Sequence, residues 1–196
     1  PFLDDEAIIT PRATDPAGSS ALNLLTVARL EPQKDPALAI ATLKLLRDRG
    51  HDARLTILGG GPMMAELTTD IDKHSYVKSH INLAGYVADP APSYRAADML
   101  LMSSRFEGVP AVIGESLLHG MPFVATDCST WLTALAARYP ALGTVAADRT
   151  PEALADAVLA RARQASPTRA QIEAGIGSHR AGPAARAYLD LFDGII

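Results

Sequence analysis

Two pairs of charged residues have the types and spacing to act on an elongated anion. Arg29 and Lys34 lie in the run Arg29-Leu30-Glu31-Pro32-Gln33-Lys34, directly after an apolar stretch and just before Asp35-Pro36. Arginine can grip a diphosphate through two parallel hydrogen bonds, and lysine acts on it as a point charge. Position alone also allows two solvated surface cations, and the two readings stand level. Glu107 and Glu115 fall in the stretch from Ser103 to Glu115, eight positions apart. If most of that interval is helical, they stand about 12 Å apart along the axis. Carboxyl pairs that hydrolyse glycosides are held roughly 5–9.5 Å apart. The wider spacing suits one extended ligand with hydroxyls at both ends, such as a hexose, a diphosphate and a ribose in series. A helix starting between the acids would offer free amides to the phosphates. The plainer alternative leaves Glu107 favouring the helix dipole and Glu115 exposed. Against it, Val112, Ile113, Leu117 and Leu118 surround Glu115, an apolar setting costly for an unpaired carboxylate.

Other candidate groups carry less. Gly59-Gly60-Gly61 allows either a close backbone approach to a ligand or a plain tight turn. The loop at Arg29 has neither the Gly-x-Gly-x-x-Gly of dinucleotide-binding units nor a Gly-rich phosphate loop. The backbone at Tyr86 and Val87 could pair with a nucleobase, with Tyr86 lying against it; ordinary packing of Tyr86 is the alternative. His51, His74, His80, His119 and His179 show no metal-ligand spacing. Cys128 is the only cysteine; it reads as a small buried residue in a strand rather than a nucleophile.

These groups need a frame, and the apolar pattern supplies one. Strands are expected at residues 22–28, 54–58, 81–84, 99–102, 123–125 and 143–145. Helices are expected from Asp35-Pro36 to Gly50, from the glycine run to Lys78, from Asp89-Pro90 to Ala97, from Pro110 to His119, from Thr150-Pro151 to Gln164, and from Arg180 to Phe192. Alternating strands and helices predict an α/β fold, a doubly wound parallel sheet of Rossmann-like type. Such sheets bind ligands outside the carboxyl ends of their strands. Residues 1–20 read as a linker or N-terminal arm outside the core, 21–178 as the nucleotide-sugar-binding domain and 179–196 as a C-terminal helix.

At 196 residues with net charge −4, the chain has room for one well-cored domain and no basic excess to suggest nucleic acid as partner. No stretch approaches the roughly 20 apolar residues that span a bilayer. The opening Pro1-Phe2-Leu3-Asp4-Asp5-Glu6 is no signal peptide and reads as an excerpt from inside a longer chain. The single cysteine fits a cytoplasmic, reducing location.

Taken in order, Val27-Ala28-Arg29-Leu30 with Lys34, Leu58-Gly59-Gly60-Gly61-Pro62, Leu83-Ala84-Gly85-Tyr86-Val87, Ser104-Arg105-Phe106-Glu107-Gly108 with Glu115, and Gly120 to Thr126 form a specific set. The chain resembles the C-terminal domain of retaining GT-B glycosyltransferases, the glycosyl transferases group 1 family, from about Leu22 to Gln164. The end segment, with Tyr188 and Leu189, is similar to the family's terminal helix. The resemblance implies that Arg29 and Lys34 neutralise the donor diphosphate and that Glu107 is the catalytic residue at the transferred sugar. It also implies that Glu115 binds ribose, that amides around Gly108, Val109, Ala111 and Val112 meet phosphate or sugar, and that Tyr86 and Val87 meet the base. The implied substrate is an NDP-sugar, with uridine favoured as its base. No cofactor or metal is implied. An N-terminal acceptor-binding domain of the same parent chain is the implied partner, any membrane association being left to that half, and the isolated chain is expected to be inactive. Ala28 departs from the family's usual Gly, Pro110 cannot donate an amide hydrogen bond, and Trp131-Leu132-Thr133 replaces a Gly-rich, acid-bearing stretch. Asp70-Ile71-Asp72 mimics the Asp-x-Asp metal motif of the other glycosyltransferase fold but falls in an expected helix, where a solvated face is the better reading. A nucleotide-sugar epimerase half and a non-catalytic nucleotide-sugar-binding module are the rival readings.

Overall fold

A computed structural model of the protein describes Leu3, Ile9, Thr10 and residues 21–193. Six strands form one sheet: β1 (Leu22–Val27), β2 (Ala53–Leu58), β3 (Ile81–Gly85), β4 (Met99–Met102), β5 (Phe123–Ala125) and β6 (Gly143–Val145). Their order is β3-β2-β1-β4-β5-β6, and every pairing is parallel. The helices are α1 (Pro36–Asp48), α2 (Met64–Lys73), α3 (Ser75–Lys78), α4 (Ala91–Ala96), α5 (Ala111–Leu118), α6 (Thr130–Arg138), α7 (Pro151–Ala162), α8 (Arg169–Ile176) and α9 (Ala181–Asp193).

Strand periodicity divides the core in two. Leu24, Leu55, Ile57, Leu101 and Val124 point to one face and pack with α1, α2 and α7. Leu25, Leu58, Leu100, Met102 and Phe123 point to the other and pack with α4, α5, α6 and α8. Successive side chains of a strand take opposite faces, so strands covered on both sides are apolar throughout. All four residues of β4 are buried accordingly.

Local sequence sets the helix ends. Asp35 caps α1 by accepting from the Leu38 amide at 3.3 Å, and Pro36 takes the first helical position. Gly50, at φ 83°, ends that helix in a conformation open to glycine. Thr150 caps α7 by accepting from the Ala153 amide at 3.2 Å.

The structure corrects several boundaries. The helix expected to run from the glycine loop to Lys78 breaks at His74, which leaves helical geometry at ψ 76°. The helix expected from Pro110 begins at Ala111, because Pro110 is extended at ψ 114°. The last helix starts at Ala181, after a 3-10 turn over Gly177–His179. Two helices, α6 and α8, were not expected: Trp131-Leu132-Thr133 is helical rather than loop, and α8 opens with a capping box between Thr168 and Gln171.

In the stretch read as an arm, Ile9 is buried in the second core cluster. Leu3 makes a parallel bridge to Arg180, and the rest of residues 1–20 lie outside the described residues. The C-terminal segment is anchored where the Trp131 indole N–H donates to His179 Nε2 at 2.8 Å. The side chains of Tyr188 and Leu189 lie outside the described residues. Among the described residues no helix is long and apolar enough to cross a membrane.

Candidate functional site

Sheet order reverses direction between β1 and β4, so the chain leaves these two strands toward helices on opposite faces, α1 on one and α5 on the other. A groove of about 730 Å³ opens there, at the carboxyl ends of the strands. This is the position at which doubly wound sheets hold ligands. Arg29, Lys34, Tyr86, Val87, Glu107, Val109, Ala111 and Val112 all line it. Two other expected site residues, Gly108 and Glu115, are not among its lining.

Lys34 and Glu107 meet directly, Nζ to Oε1 at 2.6 Å. Their side chains are 24% and 10% exposed, so solvent screens the pair less than it would at an open surface. Arg29 differs: its side chain is 75% exposed, with Glu31 the nearest acid at 3.7 Å. It stands at the rim as a solvated cation.

The two loops bearing these charges are laced together. Gln33 Nε2 donates to the Phe106 carbonyl at 2.9 Å, and the Arg105 amide donates to the Gln33 carbonyl at 2.7 Å. Arg105 Nε donates to the Pro32 carbonyl at 3.0 Å. The buried Ser103 hydroxyl lies 3.0 Å from the Lys34 carbonyl and 2.8 Å from that of Asp35. Behind Glu107, its amide donates to the Cys128 carbonyl at 2.7 Å, and the Ser129 hydroxyl donates to the Gly108 carbonyl. Burial pushes the Cys128 thiol up, which keeps it protonated and suits its packing role.

Asp35 does more than cap a helix. It is the one non-glycine among the described residues with positive φ, at 46°, a conformation that aspartate tolerates better than most residues. Its carboxylate accepts from Arg149 and forms an ion pair with Arg105 at 3.2 Å. The sequence shows the cap through Asp35-Pro36 but carries no signal for a guanidinium 114 positions away.

The glycine loop serves the backbone of its neighbour. A Cβ at Gly59 would come 1.8 Å from the Ala28 carbonyl oxygen, and one at Gly61 would come 2.4 Å from that of Leu30. The Leu30 amide donates to the Gly60 carbonyl at 3.0 Å. These contacts press the loop after β2 against the loop that carries Arg29. Tyr86 is 83% exposed, so it is not packed in the core.

Helix α5 starts without a side-chain cap, and its first residues, Ala111 and Val112, line the groove. Because Pro110 is not helical, the helical rise covers only Ala111 to Glu115, and the 12 Å axial separation expected of the two acids has no continuous helix to support it. Gly108 is set back from the groove, its carbonyl turned to Ser129. Glu115 lies one turn beyond Ala111 and accepts a hydrogen bond from Tyr94 at 2.7 Å. Sequence reasoning missed Tyr94. Its signal is a tyrosine within a short helix whose hydroxyl, once buried, needs a partner.

Asp70 and Asp72 have lysine partners instead, Lys44 at 2.8 Å and Lys78 at 2.9 Å. The hydrogen bond from Lys44 holds the Asp70 carboxyl below its usual range.

Comparison with known proteins agrees with this architecture. The profile of the family described as "Glycosyl transferases group 1" matches residues 21–163, and the chain belongs to that family. Mannosylfructose-phosphate synthase of Agrobacterium fabrum is 33% identical over 112 residues, covering 53% of this chain and 25% of that protein. The amylovoran biosynthesis glycosyltransferase AmsD of Erwinia amylovora is 31% identical over 111 residues, covering 55% of this chain and 30% of its own. The matched part is thus under a third of these relatives' length. Among solved structures, a mutant of S. aureus TarM in complex with Fondaparinux, alpha-GlcNAc-glycerol and UDP superposes with a TM-score of 0.79 at 18% identity, over 94% of this chain and 37% of that one. The pneumococcal O-GlcNAc transferase GtfA in complex with UDP and GlcNAc gives 0.72 at 16% identity, over 99% and 38%. The fold is that of the C-terminal domain of GT-B enzymes.

Proposed function

We propose that this chain is the donor-binding part of a glycosyltransferase that moves a hexosyl group from a UDP-sugar to a glycan, lipid or other acceptor, with retention of configuration. The observation that carries the reading is the Lys34–Glu107 pair at the mouth of the sheet's reversal point, 2.6 Å apart in the groove. It sets a cation for phosphate beside an acid for sugar. In the reading, breaking the bond between sugar and diphosphate develops negative charge on the leaving phosphate. Lys34, Arg29 and the uncapped start of α5 stabilise that charge more in the transition state than in the ground state. Glu107 orients the transferred sugar, Tyr86 and Val87 meet the base, and Glu115 meets the ribose. Phosphate contacts from Val109, Ala111 and Val112 come from the backbone. The acceptor half belongs, in this reading, to a longer parent chain, consistent with relatives three to four times the matched length.

The test is a panel of UDP, UMP, uridine, GDP and ADP against the chain, read by calorimetry and by thermal shift, since a ligand bound to the folded state raises apparent stability. The expected order is UDP, then UMP, then uridine, with UDP ahead of the other diphosphates. Equal binding of UDP and uridine would remove the phosphate site from this reading.

A further inference from the structure

The groove's far end has a second layer. Two short helices start at its edge: Pro90, which precedes α4, and Ala111, the first residue of α5, both line the groove. One turn further along each, at i+4, Tyr94 and Glu115 face one another, and the Tyr94 hydroxyl donates to Glu115 Oε2 at 2.7 Å. Tyr94 is 1% exposed. Its ring stacks on His119, centroids 5.3 Å apart and planes 14° apart. Packing thus fixes the ring, and the ring fixes the direction of the hydroxyl. Burial, with the adjacent Glu115 carboxylate, pushes the Tyr94 hydroxyl far above the usual phenol range, so it remains a donor at neutral pH. Glu115 Oε1 makes no hydrogen bond among the described residues.

We propose that Tyr94 is a positioning residue for ribose recognition: its buried hydroxyl ties down Glu115 Oε2 and leaves Oε1 to accept from the vicinal hydroxyls of the nucleotide. This rests on the reading of Glu115 as the ribose acceptor. A carboxylate with one oxygen tied loses less side-chain freedom when a ligand arrives, and that preorganisation favours binding. The inference assigns a specificity role to a core tyrosine that never touches the ligand.

The experiment measures affinities of the chain for UDP and for 2′,3′-dideoxy-UDP by calorimetry. The wild type is expected to prefer UDP by about tenfold or more, the worth of a hydrogen bond to a charged group. Tyr94→Phe removes only the hydroxyl and is expected to bring the ratio down to about threefold while dideoxy-UDP binding stays unchanged. Partial unfolding lowers both apparent affinities by the same fraction and cancels in the ratio. In a Glu115→Ala background, Tyr94→Phe is expected to change the ratio no further. Glu115→Asp, which withdraws the carboxylate from Tyr94 without touching the core, is expected to lose the preference as well. A purely structural hydrogen bond would lower the melting temperature of Tyr94→Phe and leave the ratio intact, which overturns the proposal alone. A wild type that binds both ligands equally overturns the ribose reading of Glu115, and the proposal with it.

Discussion

Lys34 Nζ and Glu107 Oε1 lie 2.6 Å apart, although 73 positions separate the residues in sequence and they sit on loops after different strands. The two charges offset one another, so an incoming diphosphate must compete with Glu107 for the ammonium. Glu107→Gln removes that competitor. UDP is therefore expected to bind as well as before or up to about threefold tighter, as loss of a partly buried pair frees one cation. Under the proposed function, transfer by the longer parent chain is expected to collapse. Calorimetry and an activity assay check the two halves, and a tenfold loss of UDP affinity would contradict the geometry.

Exposure separates the two cations. Lys34 is largely enclosed while Arg29 stands in solvent. Lys34→Ala should cost UDP about 10- to 100-fold in affinity, the range for a charge-assisted hydrogen bond, and leave uridine within about twofold. Arg29→Ala should cost UDP about threefold and lose even that at high salt. Titrations at low and high salt settle the order, and a larger loss at Arg29 would reverse the assignment.

The glycine loop makes a stability prediction independent of function. Gly59→Ala drives a methyl into the Ala28 carbonyl and holds alanine at φ 134°, so it should cost roughly 2–3 kcal/mol or more. Gly60→Ala meets nothing within 4 Å and should stay within about 0.5 kcal/mol of wild type. Urea midpoints for the two variants would be indistinguishable if the loop were mere surface.

Acid should loosen the C-terminal segment. Burial lowers the pKa of His179 below its ordinary 6.5, and its Nε2 accepts from Trp131. The neutral form is favoured on folding, so this stabilisation is complete above pH 6.5 and fades as pH falls through the lowered value. His119, lowered by burial and by Arg95, adds a loss of the same sign. Trp131 is the only tryptophan, so its emission isolates the His179 step. A midpoint below 6.5 that disappears in His179→Gln is expected, and a midpoint above 6.5 would refute the burial argument.

Much of the frame was readable because its signals are local. Asp35-Pro36 and Thr150-Pro151 declare helix starts through capping geometry, and Met99 to Met102 declares a covered strand through unbroken apolarity. That Arg29, Lys34 and Glu107 share one edge of the sheet was legible from the strand–helix alternation, since each follows a strand's carboxyl end. What stayed hidden depends on contacts distant in sequence. Arg149 on Asp35, Tyr94 on Glu115 and Trp131 on His179 join residues 114, 21 and 48 positions apart. Gly59 and Gly61 could be read as flexible or ligand-facing, and only the nearness of Ala28 and Leu30 shows that they permit two backbones to touch. Helix α6 is short and buries only Leu132 and Leu135, which leaves a weak periodic signal in the sequence.

The reversal of strand order between β1 and β4 has one further consequence. The opening there follows the path of the main chain, which sends its two connections to helices on opposite faces of the sheet. Shape and charge are therefore inherited separately in this molecule. Exchanging the few residues that decorate the rim can change which guest is welcomed while the scaffold continues to fold as before.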